Sequence, residues 1–451
     1  MDVTVRRPRP TQLTTRQILR AWWPLAFSWL LMSIEIPAIS AVIARLADPE
    51  VNLAAFGGVV YPLALIIESP VIMLLGASVA LCRHRQAYDL VWRYMMVSGA
   101  ILTIVHLLIA FTPLYDLVVV RLIGIPGEIV EPARLGLKFM VPWTWAIGFR
   151  RFNQGVLIRH GYSSAVGFGT IIRLIVDGTA LGLGFIFHPF AGVAVGASAQ
   201  SLGVISEAVY AGWRIRPVLK QDLPRIIPDD PLTWKAFYHF YVPLVLTSLI
   251  SFIWQPVGSA ALSRMPDALN SLAVWPVVTG LVSLLRSFGV AYNEAVVALL
   301  DRFDAWRNLS RFTIWMALAT TGVTLMVAAT PLADFYFRTL SALPGPLVDM
   351  ARTALWIAIP MPAMAVLQNW FQGSLLYGRI TRGVPESVAI FFVTVLIVLT
   401  IGVSINRWSG ILVGMTGFVL ANVTQMAWLW VRSRTIMANL SRRDQGITPD
   451  Y

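Results

Sequence analysis

Charge is what this chain has least of. Only 13% of its 451 residues are Asp, Glu, Lys or Arg, against 57% hydrophobic, and the mean hydropathy is +0.70. A water-soluble core cannot hide that much apolar side chain, which excludes a soluble globular protein and leaves a polytopic membrane protein. Cysteine is nearly absent. The single Cys82 excludes an internal disulfide framework and any multi-cysteine metal site. Five scattered histidines, and no P-loop, H-E-x-x-H or G-x-S-x-G, argue against a metal enzyme or a hydrolase. We therefore expect no catalytic function and no cofactor beyond a possible coupling ion, H⁺ or Na⁺. Acidic residues are the scarcer sign, 23 against 35 basic, for a net charge of +12. That excess falls between apolar runs rather than along one amphipathic face, so the partner it implies is the lipid bilayer and not nucleic acid.

What is present is a succession of apolar stretches, each near the roughly 20 residues that cross a bilayer. Twelve are expected, near 22–45, 53–81, 94–115, 136–158, 164–187, 190–212, 237–262, 270–299, 312–333, 351–376, 386–405 and 410–431. Arginine marks the alternate loops: Arg6, Arg7, Arg9, Arg16 and Arg20 before the first span, Arg83, Arg85 and Arg93 after the second, Arg214 to Lys235 after the sixth. Arg302, Arg307 and Arg311 follow the eighth, Arg379 and Arg382 the tenth, and Arg432, Arg434, Arg442 and Arg443 the last. This bias predicts a multi-pass protein of the cell (inner) membrane with both termini cytoplasmic. The expected organisation is a cytoplasmic tail 1–21, an N-lobe 22–213, a cytoplasmic linker 214–235, a C-lobe 236–432 and a cytoplasmic tail 433–451. The N-terminal stretch lacks a small-residue cleavage pattern and reads as a retained tail.

The chain also repeats itself. Pro24–Leu46 aligns with Pro243–Met265, matching Pro24/Pro243, Leu30/Leu249, Pro37/Pro256, Ser40/Ser259 and Arg45/Arg264. Pro142–Gly161 aligns with Pro360–Arg379, matching Phe152/Trp370, Gln154/Gln372, Gly155/Gly373 and Leu157/Leu375. Six spans per half is an even number, so both copies enter the membrane in one direction and form parallel repeats. The expected fold is all-α, two six-helix repeats, with a substrate site between them. Nothing demands an oligomer, so a monomer is expected.

Residues Phe152–Gly161, F-N-Q-G-x-L-x-x-x-G, and their echo Phe371–Gly378, F-Q-G-x-L-x-x-G, resemble the turn that follows the fourth and tenth helices in the multidrug/oligosaccharidyl-lipid/polysaccharide (MOP) exporter superfamily, in particular its MATE branch. PLAFSWLLMSIEIP in the first span and GVLIRHGYSSAVG after the fourth are similar to the progressive ankylosis (ANKH) family. The resemblance implies a V-shaped pair of bundles, alternating access, and efflux of small polyanions of the citrate, pyrophosphate or nucleotide class.

Ionisable groups at bilayer depth are functional candidates by default. Glu35, two residues before Pro37, and Glu68, before Pro70 and on one face with Tyr61, are candidates for ion coupling or gating together with Asp177. The gapless alignment sets Glu68 against Ser287 and Ile67 against Arg286, so an acid and a base at similar depth could close a cleft by pairing. Arg173 and Asp177, four apart, are expected to neutralise each other. Arg150 and Arg151 cannot point the same way on a helix, and their counterparts are Gln368 and Asn369. Arg150, Arg151, Arg173 and Arg286, with Gln154, Gln372 and Asn369, are the candidate substrate-binding residues, since guanidinium groups bind carboxylate and phosphate through paired hydrogen bonds. Glu207, Glu294 and Asn293 are expected near the cytoplasmic ends, close to water. Trp22 and Trp23 read as interface anchors; Trp143, Trp254 and Trp356 read as buried. The leading expectation is a secondary-active exporter, an antiporter, of a small organic or phosphorylated anion. The alternatives are a cation drug/H⁺ or Na⁺ antiporter and a flippase for lipid-linked substrates.

Overall fold

The computed structural model describes residues 13–187, 190–221, 223, 231–300, 302, 304–378, 380 and 382–445. The expected Arg6, Arg7, Arg9, Arg225 and Arg379 markers lie outside the described residues. Eleven helices are long and apolar enough to cross a membrane: α1 Thr15–Ile43, α2 Pro49–Leu81, α3 Arg85–Phe111, α5 Ser163–Phe187, α6 Gly192–Gln221, α7 Trp234–Leu262, α8 Ala268–Leu299, α9 Ala305–Ala329, α10 Gly345–Tyr377, α11 Gly383–Ile405 and α12 Gly410–Asp444. The twelfth, α4 Val130–Arg159, is as long but more polar, because Arg150, Arg151, Asn153 and Gln154 interrupt its apolar run. Helices α3, α6 and α12 extend several residues beyond the expected spans. Hydropathy finds only the bilayer-depth part of a helix, whereas the hydrogen-bond ladder continues through charged residues into water.

The duplication is visible residue by residue. Thr14 and Thr233 cap the first helix of each half through their side chains. Asp48 and Asp267 take left-handed backbone angles before the second. Side chains of Asn52 and Ser271 accept the Val193 and Ile411 amides. Arg134 pairs with Asp116 at 2.8 Å and Arg352 with Asp334 at 3.3 Å. Ser69 and Ser287 each bond the carbonyl three residues back, and Met73 and Ala291 interrupt their helices at one level. The spacing between matched residues shortens by one between Asn52 and Ser69. The extra residue is absorbed by a π-helical turn at Phe56–Val60, the usual way a helix accommodates a one-residue insertion. This corrects the gapless register: Glu68 corresponds to Arg286 itself, not to Ser287.

The first helix of each half crosses to the other lobe. Pro37 has no amide to bond the Ser33 carbonyl, and α1 breaks at Ile34 into Thr15–Ser33 and Glu35–Ile43. Its leading half lies on α8 and α9, where Trp22 Nε1 donates to the Phe288 carbonyl at 3.0 Å and packs edge-on to Phe312. Trp22 is thus buried, not an interface anchor, while Trp23 faces outward. Symmetrically, the leading half of α7 lies on α2 and α3. The interruption at Met73 leaves the Ser69 carbonyl without its helical partner, and Ser248 Oγ donates to it at 2.7 Å; Tyr241 donates to the Pro70 carbonyl at 2.8 Å.

On the side away from the termini the lobes hold each other reciprocally. Arg45, at the end of α1, donates to the Leu340 carbonyl at 2.8 Å and to that of Thr339. Its counterpart Arg264, at the end of α7, donates to the Ile123 carbonyl at 2.6 Å and the Leu122 carbonyl at 2.7 Å. Both targets are the carboxyl ends of π-helical segments, Asp116–Ile123 and Phe335–Leu340, where carbonyls have no partner within the helix. Beneath this clasp a Cβ on Gly57 would lie 2.3 Å from Pro276 Cγ, so the Gly57 backbone of α2 packs directly on the Pro276 ring of α8. With Cys82 replaced by Ser and spin labels at exposed Glu128 and Asp349, the R45Q/R264Q double variant should lengthen the inter-label distance in pulsed electron paramagnetic resonance. Each single variant should do so less; an unchanged distribution in the double would show that the clasp does not hold this side shut.

Candidate functional site

Buried charge is concentrated in the N-lobe. Arg173 on α5 pairs with Glu35 at the break of α1. Arg150 on α4 pairs with Glu207 on α6, whose other oxygen accepts Gln154 Nε2 at 2.7 Å. Asp177 follows one turn after Arg173, its Oδ2 3.7 Å from Arg173 Nε, and neither of its oxygens has a hydrogen-bond partner. Arg173 also reaches within 3.9 Å of Glu207. Glu68, 1% exposed, has one unsatisfied oxygen, and Arg151, half-buried next to Arg150 on α4, has an unbonded Nε. A Cβ on Gly203 of α6 would sit 1.6 Å from Asp177 Oδ1, so only glycine admits the carboxylate there.

Two expectations are corrected here. Arg150 and Arg173 are not free for an anion: each is paired with a carboxylate of its own lobe. The expected Arg173–Asp177 pair is present at 3.7 Å, with Glu35 as a second partner of Arg173. Glu207 is not near water but 1% exposed at the hub of the cluster, because α6 runs through the interior of the bundle. A count of charges along its own helix could not reveal this, but its two partners on α4, four residues apart, are a pattern a pairwise search would find. Among the described residues the cluster holds four carboxyl groups, Glu35, Glu68, Asp177 and Glu207, against three guanidinium groups, Arg150, Arg151 and Arg173. One negative charge is left over. Burying it uncompensated costs several kcal/mol, an excess that one small cation or one proton would balance.

The C-lobe keeps the scaffold and removes the charge. Gln368 and Gln425 stand where Arg150 and Glu207 do, 3.3 Å apart; Val395 and Ala421 replace Asp177 and Gly203. Asn369 bonds the Ala365 carbonyl within its helix, and Gln372 is half-buried beside it. What remains is Arg286. Its Nη2 lies 3.3 Å from Asn422 Oδ1, its Cζ 5.5 Å from the centre of the Phe418 ring, its Nε is buried and unbonded, and it has no carboxylate partner among the described residues. Glu68 and Arg286 do not pair among the described residues: Arg286 turns to Asn422 and the Phe418 ring.

Between the lobes lies a cavity of about 270 Å³ lined by Met32, Ser33 and Ile36 of α1, Phe56, Gly57 and Tyr61 of α2, Trp254 and Gln255 of α7, Trp275 to Ser283 of α8, and Phe418 of α12. Of the expected site residues only Tyr61 lines it. Tyr61 also links it to the charge cluster, since it lies on one face of its helix with Glu68 seven residues on. Trp254, half-buried, forms part of the wall, whereas Trp356 is 47% exposed rather than buried. The sequence reading missed Phe56, Gln255, Trp275, Thr279, Ser283 and Phe418, which have no charge to single them out.

With this geometry established, comparison places the fold. Residues 9–182 match the profile of the progressive ankylosis protein (ANKH) family, a match that ends within α5. No curated protein matches the chain by sequence. Among solved structures, a multidrug-resistance MATE family transporter of the MOP superfamily in an inward-facing conformation superposes with a TM-score of 0.68 at 17% identity, covering 93% of this chain and 99% of that one. The lipid II flippase MurJ, inward closed, gives 0.66 at 12% identity over 97% and 94%. A MOP superfamily transporter from Pyrococcus furiosus, described as having a binding pocket of reversed polarity, gives 0.58 at 16% over 96% and 99%. The chain is a multi-pass, all-α protein of the MATE-like MOP fold, two parallel six-helix repeats, similar in its first part to the progressive ankylosis family.

If the Arg150–Glu207 pair is held together only by mutual compensation, R150Q and E207Q should each lower unfolding stability by about 3–5 kcal/mol. The double variant, which copies the Gln368–Gln425 arrangement of the other lobe, should recover most of that loss. Thermal and denaturant unfolding in detergent checks this; an additive double variant would contradict it.

Proposed function

We propose that the chain is a secondary-active transporter that moves a small organic or phosphorylated anion through the central cavity by alternating access of its two lobes. The observation that carries this reading is Arg286, a half-buried guanidinium beside the cavity whose Nε is buried and unbonded and which has no carboxylate partner among the described residues. A transported anion supplies the missing charge, and a bidentate guanidinium–carboxylate or guanidinium–phosphate contact supplies its orientation. The N-lobe cluster, one positive charge short, holds the coupling H⁺ or Na⁺, with Asp177 and Glu35 as its ligands. Helix α1 links the two sites: Glu35 is anchored to Arg173 on one side of the break at Ile34, and Trp22 is anchored to the C-lobe on the other. A cation that competes with Arg173 for Glu35 therefore pulls on a helix that spans both lobes.

The distribution of arginine supports an orientation with both termini in the cytoplasm. The Arg45–Arg264 clasp then closes the outer side, as in a state that loads substrate from the cytoplasm for export. A second reading, an organic-cation/H⁺ antiporter, draws support from the surplus carboxylate and the aromatic cavity walls. Proteoliposome uptake separates the two. Citrate, pyrophosphate or another small anion should be transported, with loss of at least tenfold in R286Q; transport of an organic cation alone would overturn the anion reading. The D177N variant should lose accumulation driven by a pH or Na⁺ gradient while retaining substrate exchange across the membrane, because exchange needs the cavity but not the coupling cation. Gradient-driven uptake unchanged in D177N would remove the cluster from the coupling.

A further inference from the structure

We propose that the anion this cavity takes carries an aromatic ring and a single negative charge, an aromatic monocarboxylate of one or two rings. This rests on the anion reading above and narrows it. The two sides of the cavity are built from different lobes, and both are aromatic. On the N-lobe side Phe56 and Tyr61 lie with ring centres 6.3 Å apart and planes 24° from parallel. On the C-lobe side Trp254 stacks on Phe418 at 4.7 Å and 17°, and Trp275 closes on the same ring at 6.2 Å. A flat ring between such walls gains stacking contacts from both lobes at once, which makes it a ligand that the closing of the lobes itself recognises.

Charge sets the second part. Aromatic walls alone attract a cation as readily as they stack a neutral ring. Here, however, the Arg286 guanidinium already lies over Phe418, and a second positive group would have to share that ring with it. Ser283, which lines the cavity, is one turn before Arg286 on the same face of α8, so a carboxylate entering beside Ser283 comes within the reach of the arginine side chain. One unpaired guanidinium balances one negative charge. The other polar groups on the wall, Ser33, Gln255 and Thr279, are neutral, and a second or third carboxylate would be buried without a counter-charge. Size agrees: about 270 Å³ is below the roughly 300 Å³ at which sites for drug-sized ligands begin.

The test is equilibrium binding and proteoliposome uptake with the purified full-length protein, using 1-naphthoate and benzoate as aromatic monoanions. Cyclohexanecarboxylate serves as the non-aromatic acid of like size, naphthalene-1-methanol as the uncharged ring, and citrate and pyrophosphate as polyanions. The aromatic acids should bind about five- to tenfold more tightly than cyclohexanecarboxylate, the increment expected from ring stacking. W254L should erase that preference, and R286Q should weaken the aromatic acids at least tenfold while R286K restores part of it. Comparing W254L and R286K, both expected to stay folded by size-exclusion and thermal unfolding, keeps the test valid if R286Q fails to fold. Equal binding of benzoate and cyclohexanecarboxylate, or Arg286-dependent uptake of citrate or pyrophosphate without that of the aromatic acids, would overturn the aromatic monoanion and leave the anion transporter standing. Binding of none of these anions, with uptake of an organic cation, would defeat both.

Discussion

The structure depends on an uneven charge count in a place where charge is expensive. Four carboxyl groups and three guanidinium groups are packed between α1, α2, α4, α5 and α6 at bilayer depth, and no rearrangement of hydrogen bonds within the lobe cancels the remaining negative charge. The helices are shaped around that cluster. Gly203 gives up its Cβ for Asp177, α1 breaks beside Glu35, and α4 is too polar to pass for a membrane span because it carries Arg150 and Arg151. A purely structural network has no reason to stop one charge short, since a single Gln in place of an acid would finish it. The other lobe shows that such a replacement is tolerated: at the same positions Gln368 and Gln425 do the same packing with no charge.

That contrast is the most informative use of the duplication. Features the halves share, the capped first helices, the left-handed aspartates, the distal ion pairs and the crossing arginines Arg45 and Arg264, are what a two-lobed scaffold needs. Features that differ mark where the lobes have separate tasks. Glu68 and Arg286 occupy one symmetry position with opposite charge, and each is unpaired toward its own side. In the proposed reading the N-lobe is a site for positive charge and the C-lobe for negative, separated by an aromatic chamber and joined mechanically by the two exchanged half-helices.

Much of this was legible in the sequence. Spans, repeat and fold followed from apolar length and from prolines at matched depth, because a bilayer leaves few other ways to arrange such a chain. The candidate site was half legible. Glu35, Glu68, Arg150, Arg173 and Asp177 stand out as charges in apolar runs, and they do converge, but which acid meets which base depends on helix rotation and on partners far away in the chain. Glu207 was misplaced for that reason. The π-helical insertion at Phe56–Val60 could not be seen in a gapless alignment, and it shifted the correspondence of Glu68 by one residue. The cavity itself was almost silent: Phe56, Trp275 and Phe418 look like any apolar residues of a membrane helix until the lobes are set face to face.

Infrared difference spectroscopy of the purified protein reads the charge state of the cluster directly, through the carbonyl stretch of a protonated carboxyl group. One such carboxyl should be present in the absence of Na⁺, should ionise as pH rises or as Na⁺ is added, and should be missing in D177N. All four carboxyl groups ionised at every pH and Na⁺ concentration, with no difference in D177N, would contradict the claim that the N-lobe holds one exchangeable cation.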